Sequence, residues 1–207
     1  MVGGTNMTSW HERFQTDDYL YGTEPNEFIE MMQAKLGLTG DALAIAEGEG
    51  RNAVHLAEQG MRVTAWDFAR SGLEKTERLA KERQVSVSVE EVDLAEAEWP
   101  EGKWDEIICV FGHFPKEVQQ KTFEGVRRAL KPGGYFLMEV YSTEQLKFGT
   151  GGPKKESFLY RPEEVLSAFE DFRLVHFFTG EVERNEGKLH KGLSHVIQLA
   201  AQKPLDE

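Results

Sequence analysis

The sequence is poor in sulfur chemistry: Cys109 is the single cysteine among 207 residues. One thiol excludes an intrachain disulfide framework and a cysteine-rich zinc site, and no metal centre is expected. Basic residues are also scarce. Against 36 Asp and Glu stand 24 Lys and Arg, giving a formal net charge of −12 and a pI near 5.1. That balance argues against nucleic acid or an anionic membrane surface as the main partner. No apolar run approaches the roughly 18 residues needed to span a bilayer. The opening MVGGTNMTSWHERF lacks a basic-then-apolar signal pattern, so an intracellular, cytoplasmic chain is expected. Repeats and low-complexity tracts are absent. What remains is 40% hydrophobic and 29% charged, ordinary for a globular chain, and its length suits one domain with a sizeable core.

The stretch that is present and organised is Asp41 to Asp67, DALAIAEGEGRNAVHLAEQGMRVTAWD. It reads as a short apolar strand over Ala42–Ala46, a tight turn Gly48-Glu49-Gly50, a helix from about Arg51 to Gln59, and a strand over Arg62–Trp66 ending in Asp67. Gly48 lets the backbone turn and approach a ligand, and Gly50 opens the helix. Asp67 follows Gly48 by 19 residues, close to the roughly 20 expected of an acid that accepts both hydroxyls of a ribose. The unit predicts a nucleotide-like cofactor.

Residues 1–9 read as a disordered lead, and 10–207 as a single domain whose segment 10–36 is aromatic at first and helical over Glu27–Leu36. Trp10, Tyr19 and Tyr21 in that segment serve either as packing or as a lid over the cofactor. Ser71 is placed to cap a helix reaching about Arg83. Strands follow at Val85–Val89, Trp104–Phe111 and Tyr135–Tyr141, with a helix from Pro115 to Leu130 that Lys131-Pro132-Gly133-Gly134 stops. Glu144–Ser157 reads as a glycine-rich loop, Pro162–Phe169 as a short helix, and Leu174–Glu183 with Leu193–Ala200 as a hairpin turning at Asn185–Lys188. The fold class is therefore α/β: a doubly wound, Rossmann-like, mostly parallel seven-stranded sheet with an antiparallel C-terminal strand. Met31, Met32, Met138 and Cys109 are assigned to the core.

A nicotinamide cofactor is one candidate, since Ala53 completes G-x-G-x-x-A. Against it, no separate substrate domain follows, Lys-Pro-Gly-Gly precedes the fifth strand, and the terminal hairpin reverses the last one. Taken together, A-L-A-I-A-E-G-E-G-R-N (42–52), V-T-A-W-D (63–67), V-D-L (92–94), W-D-E-I-I (104–108) and L-K-P-G-G-Y (130–135) resemble the motifs of class I S-adenosylmethionine-dependent methyltransferases over nearly the whole chain. Within that family E-G-R-N-A-x-x-L-A, F-G-H-F-P (111–115) and E-G-K-L-H-K-G (186–192) are similar to the tellurite-resistance and thiol (thiopurine) branch. The chain departs from the usual glycine motif at Ala44, where an acid is common, at Ala46, where the first glycine stands, and at Glu47, where a small residue is common.

The resemblance implies S-adenosyl-L-methionine as cofactor, with Gly48 and Gly50 along its methionine part and Asp67 on the ribose. It also places Phe68 beside the adenine, Asp93 and Leu94 on the adenine edge, and Phe111 near the sulfonium. Glu47 is a candidate for the cofactor's α-ammonium. Arg51 is left between the cofactor carboxylate and solvent. His113, Arg184 and His190 are candidates for positioning a small-molecule acceptor, with a solvated hairpin tip or a packing histidine as the plainer alternatives. A thiol or a chalcogen oxyanion such as selenite or tellurite is the expected acceptor. Two other readings stay open: a nicotinamide oxidoreductase, and a cofactor-binding module without catalysis.

Overall fold

The computed structural model describes residues 7–205. Its centre is a sheet of β1 (Asp41–Ile45), β2 (Arg62–Asp67), β3 (Val87–Glu91), β4 (Trp104–Val110), β5 (Leu130–Tyr141), β6 (Arg173–Glu186) and β7 (His190–Gln202), in the order β3-β2-β1-β4-β5-β7-β6. The first five strands pair in parallel, and β7 lies antiparallel between β5 and β6. The doubly wound sheet with a reversed last strand is thus the observed architecture. Strand order reverses between β1 and β4, where Ala44 pairs with Ile108 and Ile45 with Cys109. A crevice opens beyond the carboxyl ends of strands at such a reversal.

The apolar runs explain which strands are central. Ala42, Leu43, Ala44 and Ile45 are all buried, as are Ile107, Ile108 and Cys109, because helices cover both faces of a parallel sheet. Alternate residues serve opposite faces. Leu43, Ile45, Ile107 and Cys109 pack with Phe123 and Val126 of α5 (Lys116–Ala129) and Val165 of α6 (Pro162–Ala168). On the other face, Ala42, Ala44 and Ile108 pack with Phe28, Ile29 and Met32 of α2 (Glu27–Leu36) and with Ala53 and Leu56 of α3 (Arg51–Glu58). One acid is embedded on that side: Glu106 is fully buried, takes a hydrogen bond from the Gln33 amide, and leaves Oε2 without one.

Several local expectations are corrected. Met31 is 48% exposed: two residues beyond Ile29 along α2, it is turned to the opposite side of the helix. Ser71 does not cap α4 (Arg70–Glu82); Ala69 occupies the cap, and the Ser71 hydroxyl donates to the His11 carbonyl at 2.8 Å. The assigned lead ends early, because Met7–Ser9 begin α1 (Met7–Arg13), while residues 1–6 lie outside the described residues. Segment 144–157 carries two 3-10 turns, Thr143–Lys147 and Glu156–Phe158. The terminal hairpin is longer than its β-prone runs suggest, and its tip folds back so that Lys188 N–H donates to the Leu20 carbonyl at 2.9 Å. Among the described residues, no helix is long and apolar enough to cross a membrane, and no group of three metal-ligating side chains forms.

Candidate functional site

Two residues mark the crevice between β1 and β4. Ala46 leaves β1 with φ 50° and Phe111 leaves β4 with φ 51°. Left-handed backbone costs an L-residue roughly 1–2 kcal/mol, and such strain gathers at ligand sites. Ala46 thus adopts the left-handed backbone usual for glycine, and the chain still makes its turn. Ala46→Gly is expected to stabilise the fold by about 1 kcal/mol, less the entropy a glycine loses on folding. Denaturant unfolding checks this, and a destabilised variant would show that the Ala46 methyl packs usefully. The turn continues through Gly48 (φ 65°) to Gly50 (φ 93°). A Cβ on Gly50 would lie 2.7 Å from Thr76 Cα, so α3 can approach α4 only with glycine there.

Asp67 closes on this turn. Its Oδ2 accepts from Gly48 N–H and its Oδ1 from Ala69 N–H, both at 2.8 Å. Burial raises its pKa to about 6, against the lowering effect of backbone N–H groups from Ala69, Gly48 and Phe68. A carboxylate oxygen accepts more than one hydrogen bond, so both oxygens retain a lone pair for a ribose diol, and the donor set fits that ligand. Glu47 is partly buried, and its Oε1 accepts from Asn52 and Ala53 N–H at 3.0 and 2.7 Å, capping α3. Burial pushes Glu47 up to about 7. Val92 N–H donates to the Asp67 carbonyl, which brings the end of β3 alongside. There Asp93 is exposed and accepts from Ala95 N–H at 2.9 Å, Leu94 is buried, and Phe68 is half-buried. Glu47, Gly48, Gly50, Asp67, Phe68, Asp93, Leu94 and Phe111 therefore share the carboxyl edge of β1 to β4.

On the β4–β5 side the Phe111 ring stacks on Tyr141, centroids 4.7 Å apart, and meets His190 edge-on at 4.3 Å. Tyr21 reaches His190 from the N-terminal segment at 4.6 Å, and Tyr141 Oη lies 3.1 Å from His190 Nδ1. His190 is buried, and burial together with the nearby Arg51 charge lowers its pKa to about 3, so the ring is neutral. Arg184 is no solvated tip. It is buried between Glu139 and Glu186, with its guanidinium 5.6 Å from the Phe111 ring centre. Arg51 is likewise buried, 2.7 Å from Glu186. Asn26 donates to both glutamates. Two arginines and two glutamates thus form a neutral network beneath the hairpin tip.

His113 is engaged at both ring nitrogens. Tyr141 N–H donates to Nε2 at 3.2 Å, and Nδ1 lies 2.9 Å from the Phe158 carbonyl, which assigns the proton to Nδ1. Burial lowers its pKa to about 4. Cys109 is buried, and burial pushes its thiol up to about 12, as suits a core residue.

Two further residues join the site, Phe14 from the aromatic segment read as packing or lid, and Glu49, which had no signal in the sequence. Phe14 covers the turn, its ring edge 3.3 Å from where a Cβ on Gly48 would stand. Glu49, between the two glycines, is buried and paired with Lys75 of α4. An acid in a glycine turn reads as solvated, and no spacing links it to a lysine 26 residues away.

Residues 42–134 match the family described as Methyltransferase domain. Among curated proteins, the putative methyltransferase YqeM of Bacillus subtilis (strain 168) is 26% identical over 131 residues, 61% of this chain and 53% of that protein. The chain thus spans about half the length of that relative. The N-methyltransferase NodS from Bradyrhizobium japonicum WM9, solved with S-adenosyl-L-homocysteine, superposes with a TM-score of 0.72 at 13% identity, covering 95% of this chain and 97% of that one. TehB from Haemophilus influenzae gives 0.70 at 18%, covering 88% and 63%. A SAM-dependent methyltransferase from Aquifex aeolicus gives 0.62 at 20%, covering 84% and 88%. These likenesses establish a Rossmann-like methyltransferase fold. With the family match they support S-adenosyl-L-methionine as the cofactor.

Proposed function

We propose that this chain, whose fold is that of the class I S-adenosylmethionine-dependent methyltransferases, moves a methyl group to a small, soft nucleophile, a thiol or a chalcogen oxyanion. The observation that carries the cofactor half is Asp67. It is fixed on the Gly48 N–H at the strand-order reversal, with lone pairs left for a diol. S-adenosylmethionine supplies an electrophilic methyl on a sulfonium. Asp67 would take the ribose hydroxyls, Phe68 would flank the adenine, and Asp93 with the Leu94 N–H would meet its edge. Both helix-capping bonds of Glu47 fall on Oε1, so Oε2 is the oxygen to face the α-ammonium. Phe111 would lie beside the sulfonium, with Arg51 set back against Glu186.

The acceptor half rests on what the surrounding side chains cannot do. His113 has both nitrogens engaged, His190 is held neutral with a low pKa, and burial raises Tyr21 and Tyr141. Arg184 is neutralised by its two glutamates. None of these is a base poised near neutrality, and Glu47, which is, caps α3 and would face the cofactor's α-ammonium, so the protein aligns the acceptor and excludes water. Such a site suits a nucleophile already partly ionised, as a thiol of pKa about 8.5 is. Arg184 and His190 would then orient the acceptor through the aromatic cluster, and His113 would hold the ends of β4 and β5 in register. We further read residues 10–36 as a lid segment of a single domain.

Isothermal titration should show one site for S-adenosylmethionine or S-adenosylhomocysteine and no heat with NAD; the reverse would favour an oxidoreductase. A panel of thiol, thiopurine, selenite and tellurite acceptors should yield methyl product. With saturating cofactor, the pH profile should follow the acceptor's own pKa. A fixed ionisation near neutrality whatever the acceptor would reveal a base on the protein and defeat the base-free reading. Binding without turnover across the panel would leave a cofactor-binding module.

A further inference from the structure

Building on the cofactor reading above, we propose that Glu49 and Lys75 are positioning residues: they latch a strap, residues 7–25, across the cofactor turn, so that cofactor enters and leaves only when this pair opens. Glu49 is the middle residue of the Gly48–Gly50 turn. Its Oε1 accepts from Leu20 N–H at 2.7 Å and from Tyr21 N–H at 3.4 Å. Its Oε2 lies 2.5 Å from Lys75 Nζ, and the two side chains are 2% and 5% exposed. Lys75 Nζ also donates to the Asp18 carbonyl at 2.6 Å and sits 5.5 Å from the Tyr19 ring centre. One carboxylate therefore ties the turn, α4 and the strap together.

The turn is held from below by Asp67, which would also hold the ligand, and by Thr76. Asp67 accepts from Gly48 N–H, and Thr76 Oγ1 donates to the Gly48 carbonyl at 3.2 Å. From above, Phe14 packs against Gly48 and Gly72. The latched stretch, residues 18–21, is gripped again from the hairpin side. Lys188 N–H donates to the Leu20 carbonyl, Lys188 Nζ pairs with Asp18 at 2.5 Å, and Gly187 packs so closely on Tyr21 that a Cβ there would lie 2.3 Å from the Tyr21 carbonyl carbon. The strap is thus held at residues 18–21 by a buried latch on one side and an exposed clasp on the other. A well-packed apolar pair would hold a strap as firmly as a buried ion pair does. An ion pair in which one partner is part of the cofactor turn makes strap closure respond to that turn.

Hydrogen–deuterium exchange and stopped-flow release of S-adenosylhomocysteine test this on the full chain carrying Glu49→Gln, Lys75→Met, or the surface changes Asp18→Asn and Lys188→Ala. Glu49→Gln and Lys75→Met should each speed exchange in residues 14–24 about tenfold, the loss of one charge-assisted hydrogen bond. They should also speed both uptake and release of S-adenosylhomocysteine about fivefold, with Kd changed much less, as expected of a gate. Asp18→Asn and Lys188→Ala should move the same quantities in the same direction by less. Strap exchange equal to wild type, or a loosened strap with unchanged release, overturns the latch. If the buried variants do not fold, the two surface variants decide by the same criteria. A wild type that takes up no S-adenosylhomocysteine overturns the cofactor reading and the gate with it; a wild type that binds, beside variants with its rates, overturns the latch alone.

Discussion

Asp67→Ala will raise the Kd for S-adenosylhomocysteine by about 100- to 1,000-fold, because two charge-assisted hydrogen bonds to a diol are lost at about 1.5–3 kcal/mol each, partly offset by water. Titration calorimetry of the folded variant reads the change directly. The change also leaves the Gly48 and Ala69 N–H groups without their carboxylate partner, so stability should fall by about 1–3 kcal/mol. Asp67→Asn should fall between wild type and Asp67→Ala: it keeps one acceptor oxygen, but its amide NH2 faces the other backbone N–H and one ribose hydroxyl, so part of both the affinity and the stability is lost. A pH dependence follows from the same burial. With a folded-state pKa of about 6, the free protein carries a growing fraction of protonated Asp67 below that pH. Affinity should rise with pH through about 6 and then level off. An Asp67→Ala protein that binds as tightly as wild type would remove this carboxylate from the site.

Glu106→Gln will make the protein more stable above neutral pH. Burial raises the Glu106 carboxyl to about 7 from an ordinary 4.5, despite the Gln33 amide. The sign follows from linkage. Below pH 4.5 both states are protonated and the group costs nothing; between the two values the unfolded chain ionises while the folded chain keeps its proton, and stability falls. Above about 7 the penalty is complete, roughly 3 kcal/mol at 1.36 kcal/mol per unit. Glutamine keeps the acceptor for Gln33 and removes the ionisation, at the cost of a buried amide donor. A net gain of about 1–2 kcal/mol at pH 8 is expected, with a flatter pH profile than wild type. Guanidinium unfolding at pH 5, 6.5 and 8 measures both, and an unchanged slope would show that Glu106 is ionised and solvated in the folded chain.

What the sequence discloses and what it hides divide along a physical line. Ala42–Ile45, Ile107–Cys109 and the turn at Gly48–Gly50 are legible because apolar runs, glycine and strand-end acids act locally. The hairpin is legible from Asn185–Lys188 for the same reason. Hidden are the pairings that burial creates between distant charges. Arg184 is left between an acceptor contact and a solvated tip until Glu139 arrives from β5 to join Glu186 around it. Arg51 is left between a cofactor contact and solvent until it meets Glu186, 135 residues on. His113 looks free until the backbone of Tyr141 and Phe158 occupies its two nitrogens. Helix α1 is hidden too, because Met7–Arg13 lacks an apolar stripe of its own.

The clasp between Asp18 and Lys188 joins positions 170 residues apart. During synthesis the strap emerges long before its clasp partner. The glycine turn, β2 and α4 can be assembled while the strap still has nothing to close against on its far side. Contacts of such sequence separation form late, because loop closure must precede them. A nascent chain would therefore hold its strap by the Glu49–Lys75 latch alone until the hairpin leaves the ribosome and adds the clasp.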